Sequence, residues 1–221
     1  SDLVLGLFIG RLFNLNKKFI YLISSGTAIC GATAALAISS IIKAKPSQIS
    51  VAIFIIFLMN TIALILFPIM GRYLGLTDMQ FGLFSALAIH DTASVVGSGL
   101  LFSVVAGETA ATLKVGRTIW MLPLIALITY VESEKRSFNF NDFPKFIILF
   151  FIVIAISNIF SLPQQIYEIS KLLSIIFINL GIFFIALQSK IEHINRTSSL
   201  IYPILLWITI ILISLVLVTS I

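Results

Sequence analysis

The sequence predicts an all-α, polytopic membrane protein, and three observations carry that prediction. Of 221 residues, 59% are apolar and only 10% charged, against about a quarter charged in an ordinary soluble domain. The mean hydropathy is +1.14, which suits a lipid-facing exterior around a sparing polar interior. Apolar runs near the twenty residues that cross a bilayer as a helix recur between short polar connections. They lack the alternation of a barrel wall, so strands are not expected.

Taken in order, the runs predict about seven full spans plus one partial span in a single transmembrane domain, 1–221. Leu3 to Phe13 is too short to cross and reads as the latter part of a helix, consistent with a start that looks internal or processed. Phe19 to Ile42 is the second run, interrupted by Gly26 and Gly31 and ended by Lys43, Lys45 and Pro46. Ile49 to Met70 is the third, and Phe81 to Val105 the fourth, with His90 and Asp91 at mid-depth. Ala111 to Val131 is the fifth, followed by the polar loop Glu132 to Lys145. The sixth, seventh and eighth run from Phe146 to Phe160, Ile169 to Leu187 and Leu200 to Thr219.

Counting basic residues in alternate connections places Arg11, Lys17, Lys18, Arg72, Lys135, Arg136, Lys145, Lys190 and Arg196 on one side, with Lys43, Lys45, Lys114, Arg117 and Lys171 on the other. By the positive-inside rule the first side is cytoplasmic and the C-terminus lies outside the cell membrane. The net charge of +5 is scattered between apolar runs and gives no nucleic-acid patch. One cysteine, Cys30, excludes an intrachain disulfide and a Cys-clustered zinc site. No cofactor or metal is expected, and one cysteine with two histidines offers no nucleophile–base pair for an intramembrane hydrolase.

Three features carry candidate chemistry. An ionisable residue in hydrocarbon needs a partner, a wet cavity or a function, and His90-Asp91-Thr92 is the clearest case. Histidine titrates near neutral pH, so one reading is a proton or ligand site. The other is that adjacent residues point about 100° apart and bond to different neighbouring helices. Gly26-Thr27-Ala28-Ile29-Cys30-Gly31 weakens the second run. It reads either as a broken helix whose free backbone groups bind an ion, or as close packing of small residues. Cys30 by itself reads first as a small packing residue. Ser94 and Ser98 would line a cavity or bond back to their own helix. Lys114 and Arg117, three apart on one helix face, either draw an anion into a vestibule or snorkel toward headgroups.

The strings GTAICGATAALAISSIIKAK, FGLFSALAIHDTASVVGSG and TLKVGRTIWMLP, in this order, resemble the YeiH-type family of sulfate exporters from about Leu7 onward. Gly26, Thr27, Ile29, Cys30, Gly31, Ala34, Lys43, His90, Asp91, Thr92, Val95, Val96, Gly99, Lys114 and Arg117 match its pattern. Ala28, Ser94 and Gly97-Ser98 depart from it, where the family carries a serine, a glutamine and a small apolar pair. The resemblance implies a bile acid symporter or NhaA-like fold of two inverted five-helix repeats, each with a broken helix crossing its counterpart at mid-membrane. On that basis 1–75 holds the end of the first repeat and 76–221 the second. The crossing helices would be the second run and the seventh, with Asn179, Gly181 and Gln188. The family also has about three spans ahead of the first run.

The expected function is a secondary transporter exporting a small anion, such as sulfate, a related sulfur oxyanion or an organic sulfonate, with proton coupling. Residues 26–31 would supply backbone dipoles, His90 and Asp91 a protonatable pair, and Lys114 and Arg117 compensating positive charge. A passive anion channel, and a non-transporting membrane subunit that needs a partner chain, are the alternatives. The expected partners are the lipid bilayer, the anion and H+, and a homo-oligomer is left open.

Overall fold

A computed structural model describes residues 2–132 and 197–220, with scattered positions between 149 and 180. Its helices are α1 (Asp2–Leu12), α2 (Lys17–Ala28), α3 (Ala32–Ile41), α4 (Pro46–Tyr73), α5 (Asp78–Ala88), α6 (Thr92–Phe102), α7 (Val104–Ile119), α8 (Met121–Glu132) and α9 (Thr197–Thr219). No strand occurs among the described residues. The sixth and seventh runs, with Asn179, Gly181 and Gln188, and most of the loop after Glu132 lie outside a continuous description.

α4 sets the frame. Its 28 residues span about 42 Å at 1.5 Å per residue, enough to cross a bilayer. α4 and the stretch Leu200–Thr219 of α9 are both long and apolar enough to do so. Phe54, Leu58, Ile65 and Ile69 on α4, and Leu212, Ile213 and Val216 on α9, are exposed, as a lipid-facing surface requires.

The second run does not cross as one span. It forms two half-length arms, α2 and α3, that fold back on each other: Lys18 Nζ, at the start of α2, donates to Lys43 O, just past α3, at 2.8 Å. A straight helix would hold these residues almost 40 Å apart. The fourth run is likewise a hairpin, α5 and α6. Phe81 and Phe102, at its open end, stack with ring centroids 4.1 Å apart, and Arg72 at the foot of α4 donates to Leu101 O at 2.8 Å. The interruptions lie at 29–31 and 89–91.

The two hairpins open at opposite ends of α4, the first beside Pro46 and the second beside Tyr73. Their tips meet midway along it: Gly31 lies against Ile56 and Asp91, and His90 N donates to Asn60 Oδ1 at 3.0 Å. Because α2–α3 is a hairpin, Lys43 and Lys45 share an end of the molecule with Arg11, Lys17 and Lys18, instead of lying on the other side as alternate connections had implied.

α7 starts at the open end of the second hairpin and runs past its tip. α8 continues beyond Trp120 along α3, where Met121 and Ile125 pack with Ile29, Ala34 and Ala37. The fifth run therefore begins near Val104 instead of Ala111. α9 lies along α5, with Trp207 near the tip and Val218 near the opening, where Gln80 Nε2 donates to Val218 O at 3.3 Å. Tyr202 Oη, fully buried, lies 2.7 Å from Ser24 Oγ and donates to Gly6 O at 3.1 Å, tying α9 to α2 and α1.

Candidate functional site: the meeting of two hairpin tips

A broken helix inside an apolar body exposes carbonyls at one end and N–H groups at the other, with no bulk water to satisfy them. The C-terminal ends of α2 and α5 are satisfied almost entirely by α7 and α9. Gly31 N closes on Gly26 O at 2.8 Å. Arg117 Nε donates to Ala28 O at 2.8 Å and Nη2 to Thr27 O at 3.2 Å. On α5, Arg117 Nη1 reaches Ala86 O at 3.2 Å and Leu87 O at 2.8 Å. Trp207 Nε1 takes Ala88 O at 2.9 Å, and Lys114 Nζ takes Ile89 O at 2.6 Å. Arg117 also pairs with Asp2 of α1.

Lys114 is 0% exposed, so it neither snorkels to headgroups nor faces solution. The three-residue spacing of Lys114 and Arg117 suits this arrangement, because one α7 face presents both cations to the negative ends of two half-helices. A planar guanidinium with five donors suits Arg117 to spanning both tips.

The N-terminal ends of α3 and α6 meet on the other side of the tips. Asp91 caps α6, its Oδ1 accepting from Ser94 N at 2.8 Å. Gly31 caps α3 without a side-chain hydrogen bond. Its φ of +66° and ψ of −127° suit glycine, and Asp91 lies at packing distance beside it. Asp91 Oδ2 is buried with no protein partner, and a negative carboxylate here sits between two positive helix ends.

The side chains of His90 and Asp91 diverge, but neither bonds to a neighbouring helix: both ring nitrogens of His90 lack a protein partner, and Asp91 caps its own helix. The His90 ring, 1% exposed, lies beside Trp207 with centroids 6.1 Å apart, whereas Asp91 lies against Gly31. Both ring nitrogens of His90, Asn60 Nδ2 and Ser98 Oγ are buried without a protein partner. Thr92 is exposed and Ser94 half-buried.

On the first hairpin, Thr27 Oγ1 bonds back to Ile23 O at 2.8 Å, so Thr27 contributes its carbonyl. Ile29 is a core residue, 3% exposed. Cys30 Sγ lies 3.7 Å from Met121 Sδ, a packing contact. The tips therefore bring together 26–31, His90, Asp91, Lys114 and Arg117, while Asn179 lies outside the described residues. Sequence reasoning missed Asn60, Trp207 and Asp2. Asn60 left a signal, an amide alone in the third apolar run, whereas Trp207 and Asp2 meet the site only through tertiary packing.

A model of the family described as conserved hypothetical protein 698 matches residues 1–206. The chain is similar to a UPF0324 membrane protein of Porphyromonas gingivalis, 38% identical over 216 residues that cover 95% of this chain and 65% of the relative. A UPF0324 membrane protein of Bacteroides thetaiotaomicron is also 38% identical over 216 residues, covering 95% and 64%. One of Vibrio vulnificus is 35% identical over 223 residues, covering 95% and 69%. The chain thus spans about two thirds of the length of these relatives. No solved structure matches it.

Proposed function

We propose that this chain, which belongs to the conserved hypothetical protein 698 family of membrane proteins, forms the ion-handling core of a secondary transporter. It moves a small anion by alternating access, with a proton. The observation that carries this reading is the contact between Gly31 and Asp91, where two hairpins entering from opposite ends of α4 meet at its middle. Half-helices that end at the bilayer midplane aim their dipoles at a common point, an arrangement suited to holding an ion between two gates.

The charges favour coupling. The bare N-terminus of α3 attracts an anion, but Asp91 already occupies that field. A second negative charge beside an ionised Asp91 is repelled, so anion entry goes with neutralisation of the carboxylate. His90 lies buried next to the same tip, with both ring nitrogens lacking a protein partner. Hairpin followed by long crossing, once in 17–73 and again in opposite sense in 78–132, supports an inverted repeat. Arg11, Lys17, Lys18, Lys43 and Lys45 at the first hairpin's open end, against Arg72 at the other among the described residues, favour a cytoplasmic first end, which would leave the end of α9 outside. The resemblance to sulfate exporters points to sulfate, a related sulfur oxyanion or an organic sulfonate.

The test is anion flux into proteoliposomes under an imposed pH gradient. The reading expects flux that follows the gradient and is lost in His90→Ala and Asp91→Asn while both variants remain folded. Flux indifferent to pH would favour a passive channel, and full activity in both variants would remove these residues from the mechanism.

A further inference from the structure

Beside the crossing, on the side of the helix C-termini, lies a cleft of about 680 Å³, within the size range of small-molecule sites. Its walls are apolar, with Ile29 from the first tip, Leu83 and Leu87 from α5, and Leu113 and Leu124 from α7 and α8. Among the described residues, charge enters only through Arg117 and its partner Asp2. Arg117 spends its other donors on the carbonyls of Thr27, Ala28, Ala86 and Leu87, so the direction taken by Asp2 is where an acid group meets the guanidinium.

A naked sulfate gains little in such a cleft, because a strongly hydrated dianion needs several polar partners to replace its water. An acid group on an apolar body is matched at both ends: the body leaves water against leucine and isoleucine, and the head takes a charge-assisted bond from Arg117. We infer that this cleft binds an organic anion, one sulfonate or carboxylate on an aliphatic body, whose head replaces the Asp2 carboxylate on Arg117. This deepens the transport reading and rests on it for the ligand's role as substrate.

Gly116 supplies the decisive variant. It lines the cleft, and a Cβ added there meets no neighbouring heavy atom within 4 Å beyond its own stretch of helix. Gly116→Leu therefore starts its side chain in open space within the cleft, and it raises the helix propensity of α7. Titration calorimetry of the protein in lipid nanodiscs uses hexane-1-sulfonate as probe, with hexan-1-ol and inorganic sulfate as comparisons. Hexane-1-sulfonate is expected to bind at least about tenfold more tightly than either, the range a charge-assisted bond or a buried apolar body supplies. Gly116→Leu weakens it by about tenfold or more, and Asp2→Asn tightens it by removing the competing carboxylate. Equal binding of hexan-1-ol would make the cleft a plain apolar or lipid surface and overturn the inference, as would undiminished binding in a folded Gly116→Leu protein. Sulfate flux in proteoliposomes without hexane-1-sulfonate binding defeats this inference alone. Binding without flux of any anion defeats the transport reading and leaves the cleft site standing.

Discussion

The two hairpin tips have the same backbone plan and different chemistry. At each, an α-helix stops, three residues turn, and a second helix starts at mid-depth in an apolar body. The first tip, Ile29-Cys30-Gly31, is apolar and small; its cysteine packs on Met121 and its glycine occupies a conformation that side chains resist. The second, Ile89-His90-Asp91, adopts an extended backbone, with φ of −99° at Asp91, and carries a titratable ring and a capping carboxylate. One tip makes room and the other fills it with charge. The lesson is that the fold makes the interruption twice, whereas only the second tip carries an imidazole and a carboxylate. The donors that close both helix ends come mainly from one outside element, α7, with Trp207 of α9 closing Ala88 O.

The largest effect is expected where the two tips share a part. Arg117→Leu takes the donor from the carbonyls of Thr27, Ala28 and Leu87, leaves Ala86 O only the longer bond from Lys114, and leaves Asp2 without this partner. At ~1–3 kcal/mol per unsatisfied buried group, thermal unfolding in nanodiscs is expected to shift by a large fraction of total stability. A small shift would mean that the carbonyls find other donors. Next is Gly31→Ala, which forces a side chain onto a positive-φ backbone that L residues rarely adopt, although the added Cβ meets Asp91 and Ile56 only at packing distance. It is expected to cost about 1–3 kcal/mol, and retention of full stability would remove the argument for a strained first tip.

At the second tip the corresponding change is milder. Asp91→Ala removes only the cap of α6, about 1 kcal/mol, so it should destabilise less than Gly31→Ala; the reverse order would break the contrast between a steric tip and an electrostatic one. The smallest stability effect is Asp91→Asn, because asparagine caps a helix about as well as aspartate. Unfolding is then expected to change by about a few tenths of a kcal/mol while pH-driven flux disappears, which separates the carboxylate's charge from its structural role.

Much of the site was legible in the sequence. The glycine-rich string, the histidine–aspartate pair and the two cations three residues apart all converge on one place. The hairpins were not legible, for a physical reason. Arms of 11 residues on each side of a three-residue turn add up to the length of a full crossing, so hydropathy alone cannot separate the two. That ambiguity also put Lys43 and Lys45 on the wrong side. A finer sign was present: Ser25, Ala28 and Ile29 recur as Ser85, Ala88 and Ile89 at the same place before each turn. The roles of Lys114 and Arg117 stayed open because spacing shows that two cations share a face but not that two helix ends wait opposite it.

The central claim, that two hairpins enter from opposite sides and meet tip to tip, is tested most directly by labelling with a membrane-impermeant thiol reagent. Single cysteines replace Lys17, Lys43, Thr77 and Ser103 in a Cys30→Ala background. The account predicts that positions 17 and 43 react from one side of the membrane, and 77 and 103 from the other. Reaction of 17 and 43 from opposite sides would show that the second run crosses as a single span and would contradict the account.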